Sequence, residues 1–237
     1  YMKYAAIIAI ILSSSFGLYT WMNNPESQMV AVTVRAGSKA EMALPDGTFV
    51  HLNAATNLEY DVNNSKQRLV KLSGEAFFDV AKNPDCPFKV IINDLQIEVV
   101  GTSFNVKTYK KDIVETSLLS GRIRISGGSL PHEYTLSPGQ KATYSAMDRT
   151  LRISKADAHV EAGWRDNYLI FESTPLIDVI AQIERWYGVE IRLHHKQIAQ
   201  DLLSGSFRNE SIQNVIRSLS IQYGFKYEIH KDIITIY

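Results

Sequence analysis

FESTPLIDVIAQIERWYGVEIRL, residues 171–193, recurs 36 residues later as FRNESIQNVIRSLSIQYGFKYEI, residues 207–229. Phe171/Phe207, Val179/Val215, Ile180/Ile216, Tyr187/Tyr223 and Gly188/Gly224 are identical, while Leu176/Ile212, Ile183/Leu219 and Leu193/Ile229 are similar. Every match falls on a helix face, a strand or a terminator, which marks an internal duplication. Apolar residues at Leu176, Val179, Ile180, Ile183 and Tyr187 share one face of a helix. Thr174 is the expected cap, Pro175 the first helical residue and Gly188 the stop. Flanking strands and a last strand at Ile233–Tyr237 complete a small α+β domain, residues 165–237, with its two helices on one sheet.

Upstream, past an expected polar linker at Ser154–Gly163, the pattern changes. From Val30 to about Ile153 the chain is a series of short alternating runs broken by turn residues such as Pro45-Asp-Gly47 and Pro138-Gly139. Strands at that spacing predict an all-β domain, residues 30–154, either sandwich-like or solenoid-like.

The N-terminal stretch Tyr4–Met22 (YAAIIAIILSSSFGLYTWM) carries no charge. It is long enough to cross a ~30 Å hydrocarbon core as a helix, with flanking Tyr1, Tyr4, Tyr19 and Trp21. Residues 1–25 are therefore expected to be a transmembrane segment. A signal peptide is the rival, but no small-x-small cleavage site follows the apolar run. Lys3 on the N-terminal side predicts a single-pass inner-membrane protein with a cytoplasmic N-terminus and periplasmic C-terminal domains. A start at Tyr1 rather than Met suggests a further domain upstream. Ser13, Ser14, Ser15 and Gly17 interrupt the run and would weaken a membrane helix at its centre, making them a candidate intramembrane cleavage region.

Lysine plus arginine equals aspartate plus glutamate at 25 each, so nothing in the charge favours nucleic acid as a partner. One cysteine, Cys86, excludes an internal disulfide framework and a cysteine-based zinc site. No hydrolase, nucleotide-binding or metalloprotease motif is present, and no cofactor or metal is expected. His194-His195 reads as a strand end. Glu75 and Asp79 share a strand face and could be an acid/base pair, but solvated carboxylates flanking a turn are the simpler reading. Trp164, Trp186 and Tyr187 read as core packing rather than a sugar platform. Asn63 and Asn209 open sequon-like triplets too short to mean much. Gly101-Thr102 puts a hydroxyl next to a glycine carbonyl at a strand break; local sequence alone favours a plain glycine bulge.

Taken together, LPDGTFVHLNAATNLEY (44–60), RLVKLSGEAFFDVAKNPDCPFKV (68–90), VVGTSFNVKTY (99–109), LLSGRIRIS (118–126) and LSPGQKATYS (136–145) resemble the FecR family of single-span anti-sigma regulators. The duplicated end is similar to that family's C-terminal domain, itself like the signalling domain of secretins and TonB-dependent transporters. The resemblance implies a relay rather than an enzyme. The partners it implies are the signalling domain of an outer-membrane TonB-dependent transporter, an ECF-type sigma factor held by an upstream domain, and envelope proteases. It also implies possible self-cleavage at Gly101–Thr102. Candidate partner-binding residues are Phe225, Tyr227, Ile229, Ile234 and Ile236 on the last strands, for strand addition, or Gln213, Asn214 and Arg217 on the second helix. A membrane-tethered ligand- or carbohydrate-binding module is the alternative; an unrecognised hydrolase built around Glu75 and Asp79 is a third.

Overall fold

A computed structural model describes residues 12–19, 28–62, 68–194 and 196–237, the side chains of 196 and 197 excepted. The apolar alternation in the middle of the chain resolves into a sandwich rather than a solenoid. Among the described residues, one seven-stranded sheet has the order β1-β4-β5-β7-β8-β11-β12 and the other the order β14-β13-β10-β9-β6-β3-β2. The first comprises β1 (Met29–Val34), β4 (Thr56–Asp61), β5 (Arg68–Ser73), β7 (Phe88–Ile92), β8 (Leu95–Val99), β11 (Ile123–Gly127) and β12 (Tyr134–Leu136). The second comprises β2 (Ala40–Ala43), β3 (Phe49–Leu52), β6 (Glu75–Asp79), β9 (Ser103–Lys107), β10 (Ile113–Ser120), β13 (Gln140–Ser145) and β14 (Thr150–Lys155).

Alternate side chains of each sheet meet in one core that includes Phe78, Phe88, Phe104, Leu58, Ile97, Leu118 and Ile123. Phe78 and Phe104 stack at 5.2 Å. Completely burying side chains of this size contributes about 1.5–3 kcal/mol each. Because strand side chains alternate, the neighbours of these core residues must face outward: Glu75 and Phe77 beside Ala76 and Phe78, Asn105 between Phe104 and Val106. The next layer is built on that outer face.

The expected polar linker is structured. Helix α2 (Ala158–Ala162) is capped by Asp157, whose carboxylate accepts the His159 N–H, and a 3-10 turn (Gly163–Asp166) follows. Ala162 and Trp164 are buried against Phe77, with Leu119 and Trp186 packed around them.

Beyond Asn167 the duplicated segment forms a second core. Helices α3 (Leu176–Tyr187) and α4 (Ile212–Tyr223) bury Val179, Ile180 and Ile183, and Val215, Ile216 and Leu219, the positions that match between the repeats. Gly188 and Gly224 both end their helices in the left-handed conformation, at φ 69° and 72°. Pro175, not Thr174, is the N-cap of α3, without a side-chain bond, whereas Ser211 caps α4 through the Asn214 N–H.

The expectation of one sheet under both helices is corrected. β15 (Tyr168–Pro175) pairs antiparallel with β17 (Leu202–Arg208), while β16 (Glu190–Leu193), β18 (Tyr227–His230) and β19 (Ile233–Ile236) form a separate sheet of order β16-β19-β18. Equivalent strands of the two repeats thus pair with each other or flank β19. Helices of twelve residues separate the two strands of each repeat, so each repeat divides between the two sheets.

The expected transmembrane helix is corrected as well. Residues 12–19 are helical (α1), and among the described residues no helix is long and apolar enough to cross a membrane. About 20 residues are needed for a crossing. The single-span helix and the single-pass inner-membrane location inferred from it are therefore not supported; residues 4–11 and 20–22 of that stretch lie outside the described residues. Ser13–Ser15 and Gly17 lie within continuous helix, with the Ser15 hydroxyl donating to the Leu12 carbonyl at 3.0 Å. Among the described residues no membrane-crossing helix is present to contain them as a weak centre.

Candidate functional site at the joint between the two cores

The outer face of the second sheet carries a buried carboxylate. Glu75, 7% exposed, accepts from Asn53 Nδ2 at 2.7 Å and Asn105 Nδ2 at 2.9 Å. Each asparagine is fixed by its other end, since Asn53 Oδ1 accepts the Ala54 N–H and Asn105 Oδ1 accepts the Trp164 indole N–H. Burial pushes the Glu75 carboxyl above the usual carboxylate range, against the opposing pull of Lys107 and the two amide donors. Beside it, burial and then Glu75 push the Tyr109 phenol well above its ordinary value. Its hydroxyl donates to the Ala54 carbonyl.

Onto this face the C-terminal unit docks through polar groups. The Gly37 N–H donates to the Arg185 carbonyl at 2.8 Å. A side chain on Gly37 or Gly188 would strike the other's turn: a Cβ on Gly37 would lie 3.1 Å from the Tyr187 carbonyl oxygen, and one on Gly188 3.1 Å from that of Ala36. The Arg185 guanidinium lies 4.2 Å over the Tyr109 ring, and Lys110 Nζ meets Asp178 Oδ2 at 2.6 Å.

Lys39 touches all the parts. Its Nζ donates to the Trp164 carbonyl at 2.6 Å and Asn167 Oδ1 at 3.0 Å, and sits 3.7 Å from the Trp186 ring centroid. Burial lowers its pKa to about 8, opposed by Glu75, so it is a cation at neutral pH. A partly desolvated cation over indole contributes on the order of 1–2 kcal/mol.

Between the two units lies a cavity of about 450 Å³ bounded by Glu75, Tyr109, Trp164, Tyr168, Asp178 and Arg185 among others. Its charges are largely paired. Lys141 bridges Glu115 at 3.1 Å and Glu161 at 2.9 Å. Burial pushes Glu115 up, but Lys107 and Lys141 outweigh it and hold the carboxyl below its usual range. A wall of largely paired charges suits a joint better than a reaction centre.

The residues singled out in the sequence fall in different places. Glu75 is not a solvated carboxylate, which corrects that reading, whereas Asp79 is exposed and accepts from the Ser103 hydroxyl. Trp164 and Trp186 pack at the joint; the Tyr187 hydroxyl donates to the Glu210 carbonyl. His194 stacks on Tyr237; His195 and Asn63 lie outside the described residues. Among the described residues no group of His, Cys, Asp and Glu is placed to hold a metal.

Gly101 and Thr102 lie where the chain crosses from β8 in one sheet to β9 in the other. Thr102 is buried, and its hydroxyl donates to the Arg122 carbonyl at 3.1 Å. Gly101 must be glycine because a Cβ there would lie 2.9 Å from Lys82 Cα. The crossing borders an open groove shared with Gly121, Arg122 and Arg124.

Of the partner-binding candidates, Phe225, Ile234 and Ile236 are buried in the second core, so their side chains cannot meet a partner. β19 is the central strand of its sheet, which corrects its assignment to an edge; β18, with Tyr227 and Ile229 half-buried, is at one edge. Gln213, Asn214 and Arg217 are exposed on α4.

Lys39, Asn53, Asn105, Tyr109 and Arg185 were not singled out in the sequence. The available signal was Asn105, an amide between Phe104 and Val106 on a strand whose outward face should be wet. Their convergence spans segments far apart in the chain and needs the docked fold.

The architecture defines a class: a β-sandwich carrying, through a structured connector, a duplicated strand–helix–strand unit. The FecR protein family profile matches residues 30–124, and that of the FecR C-terminal region matches residues 168–236. Two crystal structures of a "putative anti-sigma factor" from Parabacteroides distasonis are similar at 30% identity, with TM-scores of 0.79 and 0.80. The matches cover 88% and 89% of this chain, and 98% and 99% of those chains. No curated protein matches in sequence. The chain belongs to the FecR family.

Proposed function

We propose that this chain is an anti-sigma regulator that relays the state of a TonB-dependent transporter to an ECF-type sigma factor, with regulated proteolysis as the release step. The observation that carries the anti-sigma role is the similarity over nearly the whole chain to the Parabacteroides anti-sigma structures. In this reading the duplicated unit receives the transporter's signalling domain. The exposed edge of β18 supports it, because small sheets of this kind accept an added strand through unpaired backbone groups. The exposed α4 residues Gln213, Asn214 and Arg217 are the competing surface.

Self-cleavage at Gly101–Thr102 belongs to the same proposal. Its support is a threonine that directly follows a glycine at a tightly packed crossing beside an open groove, with the threonine hydroxyl donating to the Arg122 carbonyl.

A transcriptional reporter for the cognate sigma factor tests the anti-sigma role. Deleting the gene for this chain is expected to change reporter output and uncouple it from transporter substrate. Output that still follows substrate in the deletion strain overturns the reading.

A further inference from the structure

The joint described above is built unlike either core. Its buried apolar cluster is small, Phe77, Ala162 and Trp164 with Leu119 and Trp186 packed against them, and polar and charged contacts surround it. Interfaces of that composition between units of one chain are the ones that move as rigid bodies, because exposing them to water costs little. Each side also keeps its own core when separated: one is closed by the two sheets of the sandwich, the other by α3, α4 and the strands around them.

A pivot is present. Trp164 is anchored to the sandwich through Asn105 and Phe77, and Arg165 lies over Phe77 at 3.6 Å. Two residues later Asn167 takes a left-handed backbone, φ 61°, and the duplicated unit begins. Element-terminal residues between two well-packed bodies are where hinge rotations are absorbed.

Lys39 spans this pivot. It comes from the sandwich, holds the backbone before the pivot at the Trp164 carbonyl and the side chain of the pivot residue at Asn167, and covers the Trp186 ring beyond it. No other described side chain bonds the connector while also stacking on the far unit.

The geometry points to a releasable latch, with Lys39 as its keystone and Asn167 as its pivot, that holds the duplicated unit docked on the sandwich and, when opened, frees the faces of α3 and Tyr109. The hydrogen bonds of the Gly37–Arg185 contact and the Lys110–Asp178 pair are satisfied by water once the units part, so they set the docked geometry without preventing release. The latch stands on these contacts alone. Its use as the moving part of a transporter-to-sigma relay rests on the function proposed above.

Spin labels at Arg152→Cys on the sandwich and Lys226→Cys on the duplicated unit, in a Cys86→Ser background, report the docking by pulsed dipolar spectroscopy with no partner present. The parent chain is expected to give one narrow distance distribution and slow tryptic cleavage after Arg165. Lys39→Met is expected to retain the circular dichroism of the parent, to add a longer-distance population, and to speed that cleavage at least tenfold. A folded Lys39→Met chain with the parent's distances and cleavage rate overturns the latch. Should Lys39→Met fail to fold, Trp186→Leu with Asn167→Gly, which removes both side chains that Lys39 engages, is measured in the same way, and an unchanged distribution there overturns it. Since no partner is added, a failure here leaves the anti-sigma reading standing, and a failed reporter assay leaves the latch standing.

Discussion

The Trp164 indole N–H donates to Asn105 Oδ1 at 3.1 Å, and so ties the connector to the amide that holds the buried Glu75 carboxylate. One asparagine therefore serves two groups that burial would otherwise leave unpaired. Replacing Asn105 with alanine strands both the indole and one carboxylate oxygen. A loss of about 2–3 kcal/mol is expected, since an unsatisfied buried group costs about 1–3 kcal/mol and more when charged. Urea denaturation measures it. A loss under half a kilocalorie would mean that water replaces the amide at no cost.

Glu75 carries a pH signature. Its folded-state pKa lies above the ordinary carboxylate value, so its contribution to stability is fully present below the unfolded value and is lost as pH rises through the folded one. Glu75→Gln removes the titration. The stability of the parent relative to Glu75→Gln is expected to be highest near pH 4 and to fall toward neutrality. A difference that grows with pH would show that Asn53, Asn105 and Lys107 favour the charged form more than burial opposes it.

Gly188 and Gly224 are matched helix ends in different settings. Both have positive φ, but a Cβ on Gly188 meets the Ala36 carbonyl while one on Gly224 meets nothing within 4 Å. Alanine at either site should cost about 1–2 kcal/mol from the left-handed backbone. Only Gly188→Ala should also disturb the joint, read as a change in Trp fluorescence on native chain. Equal fluorescence changes at the two sites would argue that the Gly37–Gly188 approach does not define docking.

For Gly101–Thr102 the purified chain is expected to run as two fragments on a denaturing gel, and Thr102→Ala as one band. Parent chain that stays intact on prolonged incubation would contradict self-cleavage.

The duplicated unit was largely legible because its helix faces and terminal glycines lie within one 23-residue window, and local periodicity reports local structure. Val179, Ile180 and Ile183, with Val215, Ile216 and Leu219, fall inside its core. Strand order was not legible: β19 runs parallel to β16, more than thirty residues away, and sits between strands that sequence order would place inside it. Sandwich and solenoid share the same alternation, so only sheet pairing distinguishes them. For the apolar N-terminal stretch, length and composition predict a membrane helix, whereas among the described residues no helix is long and apolar enough to cross a membrane. At the joint, Glu75 looked like surface because its strand neighbours alternate normally; its burial comes from α2, the connector and α3 arriving later in the chain.

The central claim is that the duplicated unit receives a transporter's signalling domain through β18. Isothermal titration of this chain with the purified signalling domain of the cognate TonB-dependent transporter tests it most directly. A one-to-one complex is expected, weakened at least tenfold by Ile229→Pro, which removes a β18 backbone donor, and unchanged by Arg217→Ala on α4. No heat of binding, or a complex sensitive to Arg217→Ala and indifferent to Ile229→Pro, would contradict it.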